Sequence, residues 1–301
     1  MVNKNLIKNC KICGKQGFHF FEKKYSQNEF NKYFENFYGS KHLDILKEYL
    51  KNDYFSILKC FDCNFIWQKF IPDEDFSNTL YEEVIDKEQS LKKSKKLASL
   101  LLKKYQFNFN VIYNYLKKKK LNVLDFGAGW GTWLTSLDNE KVNRFAFEIS
   151  PSRKSYLNHL GIKVLNDFDI KNYNNYFDYI RLEQVLEHIP DLNTCMILIK
   201  KLSKKNTILE VGVPDGKKLI QESKFITITK GPIQPLEHLN CFSNQSLKKF
   251  MMKYDFEPIN FSDILTLYFN KSLLTLTGVK ILISEVLNNL FSTTIKFKNK
   301  I

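Results

Sequence analysis

The spacing of apolar residues divides the chain into regions with different periodicity. Residues 28–51 and 76–120 carry apolar side chains at helical spacing, with Gly39 interrupting the first run. Beyond residue 120, short apolar runs alternate with amphipathic segments, the runs lying at 122–126, 144–149, 163–165, 177–182 and 207–213. This alternation is typical of βαβ units and predicts an α/β fold with a doubly wound, mostly parallel sheet.

The same pattern predicts three parts of the chain. Residues 1–75 form an irregular, aromatic-rich module, and Pro72 with the acidic residues 73–75 marks its end. Residues 76–120 form a helical linker or cap, and residues 121–301 form the α/β domain. The apolar tail from residue 264 predicts a last strand and an amphipathic helix. A membrane-surface helix is less favoured there, because its polar face is not strongly basic.

Composition narrows the class of protein. Hydrophobic residues make up 44% of the 301 residues, which argues against a disordered chain. No apolar stretch of about 18 residues without charge occurs, so a transmembrane helix is not expected. No secretory pattern follows Met1 either. We therefore expect a cytoplasmic protein, with weak association at a membrane surface as the alternative.

The net charge of +14 could indicate that the protein binds nucleic acid. The positive charge is almost all lysine, and the arginines are limited to Arg144, Arg153 and Arg181. Arginine is the side chain that most often reads phosphates and base edges, because its donors form a rigid fork. Scattered lysines are typical of solvated helix faces, so a nucleic-acid partner is not favoured.

Four of the six cysteines have metal-binding spacing. Cys10 and Cys13 form one Cys-x-x-Cys pair, and Cys60 and Cys63 form another. Two intervening residues let both thiolates bind one ion, and four thiolates make a closed tetrahedral zinc site. The pairs predict a structural zinc ion in an N-terminal zinc-binding module, although the insert between them is longer than in the usual zinc ribbon. Cys195 and Cys241 are interpreted as ordinary buried thiols.

A glycine-rich turn follows the first predicted strand of the α/β domain. The strand ends at Asp125, and Gly127, Gly129 and Gly131 lead into a helix predicted to begin near Trp130. Glycines are needed where the backbone turns sharply beside a ligand. The third glycine lies one position earlier than in the dinucleotide-binding pattern, which favours a cofactor without a pyrophosphate.

Acidic residues follow the next two strands as well. Glu148 ends the second strand, where a carboxylate can accept hydrogen bonds from both ribose hydroxyls. Asp167 and Phe168 follow the third, where a carboxylate can accept from an adenine amino group while an aromatic ring packs on the base. Acids at the ends of successive strands beside the switch point of a sheet indicate a nucleoside-containing ligand.

These segments, with residues 178–191, resemble the successive motifs of class I S-adenosylmethionine-dependent methyltransferases of the methyltransferase domain 23 type. The resemblance covers residues 122–256 and implies a Rossmann-like, seven-stranded sheet and S-adenosylmethionine as cofactor. It implies that the cofactor is bound by Asp125, Gly127, Ala128, Gly129, Glu148, Ile149, Asp167, Phe168, Glu183 and Gln184.

The cysteine pairs add a narrower resemblance, to the methyltransferases of nucleotide-linked deoxysugars. The segment Glu237-His238-Leu resembles the Glu-His stretch of that family, which implies that His238 is the base and Glu237 its orienting partner. Pro235 replaces the family's tyrosine, and the sequence does not predict the large C-terminal substrate domain of the C-methylating members. Both departures favour O-methylation. His188 is the second catalytic candidate.

The sequence thus predicts a methyltransferase acting on a small molecule, such as a hydroxyl of a sugar, nucleotide-sugar or glycan precursor. An RNA methyltransferase with a zinc module and a non-catalytic binding protein with a cofactor fold are the alternatives. No second group of carboxylates and histidines is expected, so a catalytic metal is not predicted.

Overall fold

The computed structural model describes residues 5–50, 53–166, 168–229, 231–259 and 292–300. The chain forms two compact units. Unit 1 contains Met1–Glu88, Leu186–Asn193 and Val213–Lys249, and unit 2 contains Gln89–Val185, Thr194–Gly212 and Phe250–Ile301. These units divide the chain differently from the predicted boundaries at residues 75 and 120, which stay a prediction.

The described residues contain both helices and strands. The α-helices are α1 (Asn28–Tyr38), α2 (Leu43–Leu50), α3 (Glu74–Thr79), α4 (Lys87–Leu116), α5 (Thr132–Thr135), α6 (Pro151–His159), α7 (Leu192–Leu202), α8 (Lys217–Gln221) and α9 (Asn244–Met252). Short 3₁₀ turns lie at Ser40–His42, Ile170–Tyr173 and Ser223–Phe225, and one π-helical turn lies at Leu80–Val84. In the part of the chain that the structure describes, no helix is long and apolar enough to cross a membrane.

The strands form three sheets. They are β1 (Asn5–Leu6), β2 (Phe18–Lys24), β3 (Tyr54–Lys59), β4 (Ile66–Gln68), β5 (Phe70–Ile71), β6 (Leu121–Phe126), β7 (Val142–Phe147), β8 (Lys163–Leu165), β9 (Phe177–Glu183), β10 (Ser203–Gly212), β11 (Asn240–Cys241), β12 (Phe256–Pro258) and β13 (Thr294–Asn299). Unit 1 holds the first five and β11, and unit 2 holds the rest.

The sheet of unit 2 has seven strands in the order β12-β13-β10-β9-β6-β7-β8. Neighbouring strands from β10 to β8 pair in parallel, whereas β13 is antiparallel to both β10 and β12. The central strands β6 and β9 are buried along almost their whole length, as expected for a sheet covered on both faces. The predicted α/β, Rossmann-like, mostly parallel seven-stranded fold is confirmed.

Local boundaries differ from the sequence prediction in two places. The helix expected near Trp130 begins at Thr132, because Gly131 adopts a left-handed conformation (φ 67°) that cannot belong to a right-handed helix. The strand expected from residue 207 begins at Ser203, with a register shift against β9 between residues 203 and 208. The predicted last strand is β13, and the predicted tail helix lies outside the described residues.

Unit 1 is an antiparallel assembly. Its four-stranded sheet has the order β11-β4-β3-β2, and β1 pairs with β5. The aromatic side chains of α1 supply much of its core, including the buried rings of Phe30 and Phe34. The strand β11 comes from a part of the chain that the sequence analysis assigned to the α/β domain. Unit 1 is therefore completed by a segment far from its other strands in sequence.

A row of charged residues crosses the centre of the unit 2 sheet. Asp125, Arg181, Glu210 and Lys296 occupy paired positions on β6, β9, β10 and β13, and all are buried. The Arg181 guanidinium lies 3.6 Å from an Asp125 oxygen and 3.7 Å from a Glu210 oxygen, and Lys296 Nζ lies 3.4 Å from Glu210. Opposite charges thus alternate across four strands, which is the arrangement that buried ions require.

Burial and the neighbouring cations have opposite effects on the pKa values of these two acids. Burial raises the pKa of Asp125 to about 6, and the nearby Arg181 limits the rise. Burial also favours the protonated form of Glu210, but Lys296 and Arg181 outweigh it and lower the pKa of that carboxyl. Asp125 therefore titrates close to neutral pH, while Glu210 stays ionised.

Replacement of Arg181 by methionine is expected to destabilise unit 2. Arg181→Met keeps the length of the side chain but leaves the buried acids without their central cation. We expect a loss of about 3–5 kcal/mol in the free energy of unfolding at pH 7.5, measured by urea unfolding. Arg144→Met is the matched control on β7, which β6 separates from β9, since Arg144 donates to the backbone carbonyl of Leu137 and lies outside the charged row.

The loss in the free energy of unfolding caused by Arg181→Met should become smaller as the pH falls to 5. The pKa of Asp125 in the folded protein lies above its ordinary value of 3.8, so its contribution to stability is present below about pH 4 and is lost as the pH rises through 6. Without Arg181 the rise in the pKa of Asp125 is larger. Protonation of Asp125 at low pH then removes an unpaired buried charge, which stabilises the variant more than the wild type. An equal loss at pH 5 and pH 7.5 would contradict the charge-pair explanation.

Candidate functional site

The glycine turn after β6 has the conformation that a ligand-binding loop requires. Gly127, Gly129 and Gly131 all have φ between 56° and 77°, a region that other residues seldom adopt. A Cβ atom at Gly127 would lie 2.6 Å from Val185 Cγ2, and one at Gly131 would collide with Leu157. A Cβ atom at Gly129 would meet nothing within 4 Å. Gly127 and Gly131 are required for packing, whereas Gly129 presents bare backbone to open space.

Glu148 ties this loop to the end of β7. One carboxylate oxygen accepts a hydrogen bond from the Gly129 amide at 2.8 Å, and the other accepts from the amides of Ile149 and Ser150 at 2.9 and 3.0 Å. The Ala128 amide donates to the carbonyl of Phe147 on the same strand. A carboxylate has about four acceptor positions, so Glu148 retains capacity for a further donor beside the loop.

The remaining predicted cofactor residues lie at the same ends of the strands. Phe168 follows β8, and 87% of its surface is exposed. Gln184 follows β9 in a left-handed conformation (φ 56°), and its amide donates to the Gly212 carbonyl at the end of β10. Glu183 ends β9, and burial raises the pKa of its carboxyl although Arg181 opposes this. Asp167 lies outside the described residues.

These positions lie together at the carboxyl ends of the parallel strands of unit 2. The chain reverses strand order between β6 and β9, which is the switch point where such folds bind ligands. The loop of bare backbone, the Glu148 acceptor and the exposed Phe168 ring all belong to this edge. The edge can therefore hold a nucleoside-containing cofactor that offers hydroxyl donors and an aromatic base.

The four predicted metal ligands come together in unit 1. The Sγ atoms of Cys10 and Cys63 are 3.4 Å apart, as are those of Cys13 and Cys60, and Cys13 lies 4.0 Å from Cys63. Sulfur atoms around a tetrahedral zinc ion are about 3.8 Å apart, given Zn–S bonds of about 2.3 Å. The donor set and its spacing thus fit one metal ion.

The turns after each pair also have the predicted form. Gly14 and Asn64 adopt left-handed conformations with φ of 77° and 56°, and their amides donate to the carbonyls of Cys10 and Cys60. Each pair therefore closes a tight turn that directs both sulfurs to the same side. The identical construction of two turns far apart in sequence indicates one shared site.

A second group of potential ligands contradicts the expectation drawn from the sequence. One ligand atom from each of Glu187, His188 and His238 lies within 4.8 Å of the others. The imidazole centroids are 4.7 Å apart, and His188 Nε2 lies 3.9 Å from a Glu187 oxygen. The expectation that no second group of carboxylates and histidines exists is wrong, because the fold of unit 1 joins two segments about 50 residues apart.

Hydrogen bonds orient both imidazoles. His238 Nδ1 lies 2.6 Å from the Gly231 carbonyl oxygen, which can only accept, so the proton is assigned to Nδ1. His188 Nδ1 lies 3.2 Å from the Tyr81 hydroxyl. The lone pair of the neutral His238 imidazole is consequently on Nε2. The predicted orienting role of Glu237 stays a prediction.

Glu237 has a partner that the sequence did not indicate. The Tyr38 hydroxyl donates to its carboxylate at 2.6 Å, and burial raises the pKa of Tyr38 well above its ordinary value, followed by the effect of the Glu237 charge. Tyr38 lies at the end of α1, inside the long insert between the cysteine pairs. The sequence predicts only that residues 28–51 have helical spacing, so no sequence signal distinguished Tyr38.

Gln68 and Gln234 also lie beside His238 without having been predicted. Gln68 Nε2 donates to the carbonyls of Gln234 and His238 at 2.7 and 3.0 Å, while Gln234 and His238 form a β-bridge. Gln234 is 1% exposed, and its Oε1 has no hydrogen-bond partner in the described part of the chain. An unsatisfied buried acceptor is costly, so it marks a place where a ligand donor is favourable.

The family of the chain follows from comparison with known proteins. Residues 94–260 match the model of the methyltransferase domain, which is more than half of the chain and reaches back into α4. No curated protein sequence matches.

Two solved structures are similar to the chain at low sequence identity. One is the 1,6-didemethyltoxoflavin-N1-methyltransferase of Burkholderia thailandensis, solved with 1,6-didemethyltoxoflavin and S-adenosylhomocysteine, at 16% identity and TM-score 0.40; the match covers 62% of this chain and 76% of that chain. The other is a SAM-dependent methyltransferase of Aquifex aeolicus, at 20% identity and TM-score 0.38, covering 56% of this chain and 88% of that chain. These likenesses are distant, and it is the match over residues 94–260 that shows the chain to belong to the methyltransferase-domain family.

Proposed function

We propose that the protein transfers a methyl group from S-adenosylmethionine to a hydroxyl of a small, sugar-like acceptor, with His238 as the base. The observation that carries the proposal is the orientation of His238, whose Nδ1 is fixed by the Gly231 carbonyl at 2.6 Å so that Nε2 remains as the proton acceptor. A histidine is suited to this role near neutral pH.

The edge of the unit 2 sheet is the proposed cofactor site. Glu148 would hold the ribose hydroxyls with its remaining acceptor capacity, and the amides that it binds keep the glycine loop in place. Phe168 would pack against the adenine, and the resemblance assigns the adenine amino group to Asp167. Asp125, Gly127, Ala128, Gly129, Ile149, Glu183 and Gln184 complete the site. When bound, S-adenosylmethionine supplies a methyl group already activated on a sulfonium.

The residues of unit 1 provide the proposed acceptor chemistry. The acceptor O–H bond breaks as its proton passes to Nε2 of His238, and the oxygen becomes the nucleophile. The imidazolium that forms is stabilised by the Gly231 carbonyl on Nδ1 and by the buried carboxylate of Glu187 nearby. His188 and Glu237 complete the proposed catalytic set.

A polyhydroxylated acceptor is favoured by the polar groups around His238. The buried Oε1 of Gln234 accepts from a hydroxyl, and Glu237, held by Tyr38, accepts from a second. A site with buried acceptors discriminates strongly against ligands that lack matching donors. Sugars, nucleotide-sugars and glycan precursors carry such donors in number, and a cytoplasmic location remains part of the proposal.

Loss of the Glu148 carboxylate should weaken cofactor binding. In Glu148→Gln one acceptor oxygen becomes a donor that faces backbone amides, so both the loop and the ribose lose a charged partner. We expect the Kd for S-adenosylhomocysteine to rise about 10- to 100-fold, measured by isothermal titration calorimetry. The exposed Glu140→Gln is the control and should bind normally.

Phe168→Ala tests the same site without risk to the fold, because the ring is 87% exposed. Loss of base stacking should raise the Kd by about 5- to 100-fold. Phe61→Ala, which removes a ring that is 75% exposed in unit 1, should leave it unchanged. Unaltered affinity in both Glu148→Gln and Phe168→Ala would refute this cofactor site.

Removal of the proposed base should affect turnover and not cofactor affinity. We expect His238→Asn to lower kcat about 10²- to 10⁴-fold, because asparagine fills the site but accepts no proton. Transfer of a tritiated methyl group to a panel of UDP-, GDP- and dTDP-linked sugars gives the rate. The exposed His159→Asn serves as the control. Equal rates for wild type and His238→Asn would exclude His238 as the base.

The four-cysteine cluster is proposed to hold structural zinc. Four thiolates leave no open position on a tetrahedral ion, so the metal fixes the chain and does not take part in catalysis. The four cysteines that would hold the ion lie in the segment before β2 and in the turn between β3 and β4. A bound ion would thus fix one end of the unit 1 sheet.

The purified protein should contain one tightly held zinc ion, measured by elemental analysis. Cys63→Ala should lose it and unfold unit 1 at a lower temperature, because the binding free energy of structural zinc contributes to folding. Cys195→Ala, a buried cysteine of unit 2, should keep the full zinc content. A zinc-free protein with normal thermal stability would overturn the structural role.

A further inference from the structure

Glu187, His188 and His238 have the chemistry of a metal site distinct from the cysteine cluster. Two neutral imidazoles and a carboxylate suit zinc and neighbouring transition metals, and the same ligand types form zinc sites with an open fourth position. The three groups lie in one unit and bring one ligand atom each within 4.8 Å of the others. None of them is within the segments that hold the four cysteines.

Both imidazoles are oriented as metal ligands usually are. A metal-bound histidine typically has its other ring nitrogen in a hydrogen bond, which fixes the tautomer and the ring. His238 has the Gly231 carbonyl on Nδ1 at 2.6 Å, and His188 has the Tyr81 hydroxyl on Nδ1 at 3.2 Å. The Nε2 of His188 is directed towards Glu187, at 3.9 Å. The partners that position the ligands are therefore already in place.

Hydrogen bonds join the two backbone segments that carry these ligands. The Glu187 carbonyl accepts from the amides of both Leu239 and Asn240, at 2.7 and 3.1 Å. The Asn240 side chain donates to the carbonyls of Leu186 and Ile189, each at 2.8 Å. Four hydrogen bonds thus join the Glu187–His188 segment to the segment that follows His238. The site is preformed and does not depend on a flexible loop.

The electrostatics also favour a cation. Glu187 is completely buried and His238 is 7% exposed. A buried carboxylate beside two imidazoles is stabilised by positive charge, which either protonated histidine or a metal ion supplies. Tetrahedral zinc would bring its nitrogen and oxygen ligands to about 3.3–3.6 Å from one another, given bonds of about 2.0–2.2 Å.

From these observations we infer that Glu187, His188 and His238 bind a second divalent transition metal such as zinc, and that this metal inhibits methyl transfer. The metal takes the Nε2 lone pair of His238, and the proton acceptor is lost while the ion is bound. The inhibitory part rests on the proposed function, whereas the binding part does not. The three-ligand site should be weaker than the four-thiolate site, so its occupancy responds to free zinc.

The binding part is tested by titrating zinc into protein whose cysteine cluster already holds one equivalent. Isothermal titration calorimetry should show one further equivalent in the wild type. Glu187→Gln and His238→Asn should bind it at least 10-fold more weakly, and His42→Asn, a histidine of unit 1 outside the group, should bind it normally. Cobalt in the second site should lack the sulfur-to-metal charge-transfer absorption of the thiolate site.

Absence of a further equivalent would overturn the inference, as would a further equivalent unaffected by both substitutions. The inhibitory part is tested separately with the methyl-transfer assay. Zinc beyond the first equivalent should lower the rate, and a mild chelator that leaves the cysteine cluster loaded should restore it. An unchanged or increased rate refutes inhibition. If no acceptor is methylated at all, the proposed function is refuted. The zinc titration still shows whether the second metal site exists.

Discussion

The buried guanidinium of Arg181 is the interaction on which the centre of the unit 2 sheet depends. It lies within 3.7 Å of acids on its own strand and on both neighbouring strands, and it packs against the Trp133 ring. The glycine loop begins two residues after Asp125, the acid of β6 in this group. Because a buried acid without a cation is strongly unfavourable, the position of β6 and of the loop that follows it depends on this side chain.

In unit 1 the proposed catalytic histidines lie in loops and not on the strands of a sheet. His188 and His238 lie in loops, where side chains are usually less well fixed. Here the loops are fixed by hydrogen bonds from Asn240 and to the Glu187 carbonyl. The same preorganisation suits a general base and a metal ligand, since both require an imidazole with one nitrogen occupied and the other available. The two roles therefore compete for a single lone pair.

The sequence predicted the features that are encoded locally. The glycine turn, the acid at the end of β7 and the two cysteine turns depend on residues within a few positions, and the structure has each of them. The two cysteine pairs were expected to meet because they carry a metal-binding pattern, but contacts between distant segments without such a pattern were not predictable. Nothing near Tyr38 indicated that it would bond Glu237, and nothing near Glu187 indicated His238. Apolar spacing identifies buried residues but does not say which distant partner they meet.

The strand β11 has a consequence for how the protein is made. The ribosome synthesises Trp67 of β4 long before Asn240, its partner in β11. Until then the edge of β4 has no neighbour, and an open strand edge is a template for pairing with other chains. Unit 1 can bind zinc early but cannot finish its sheet until most of unit 2 has left the ribosome. Fragments ending before residue 240 should therefore be prone to aggregation, even when both cysteine pairs are present.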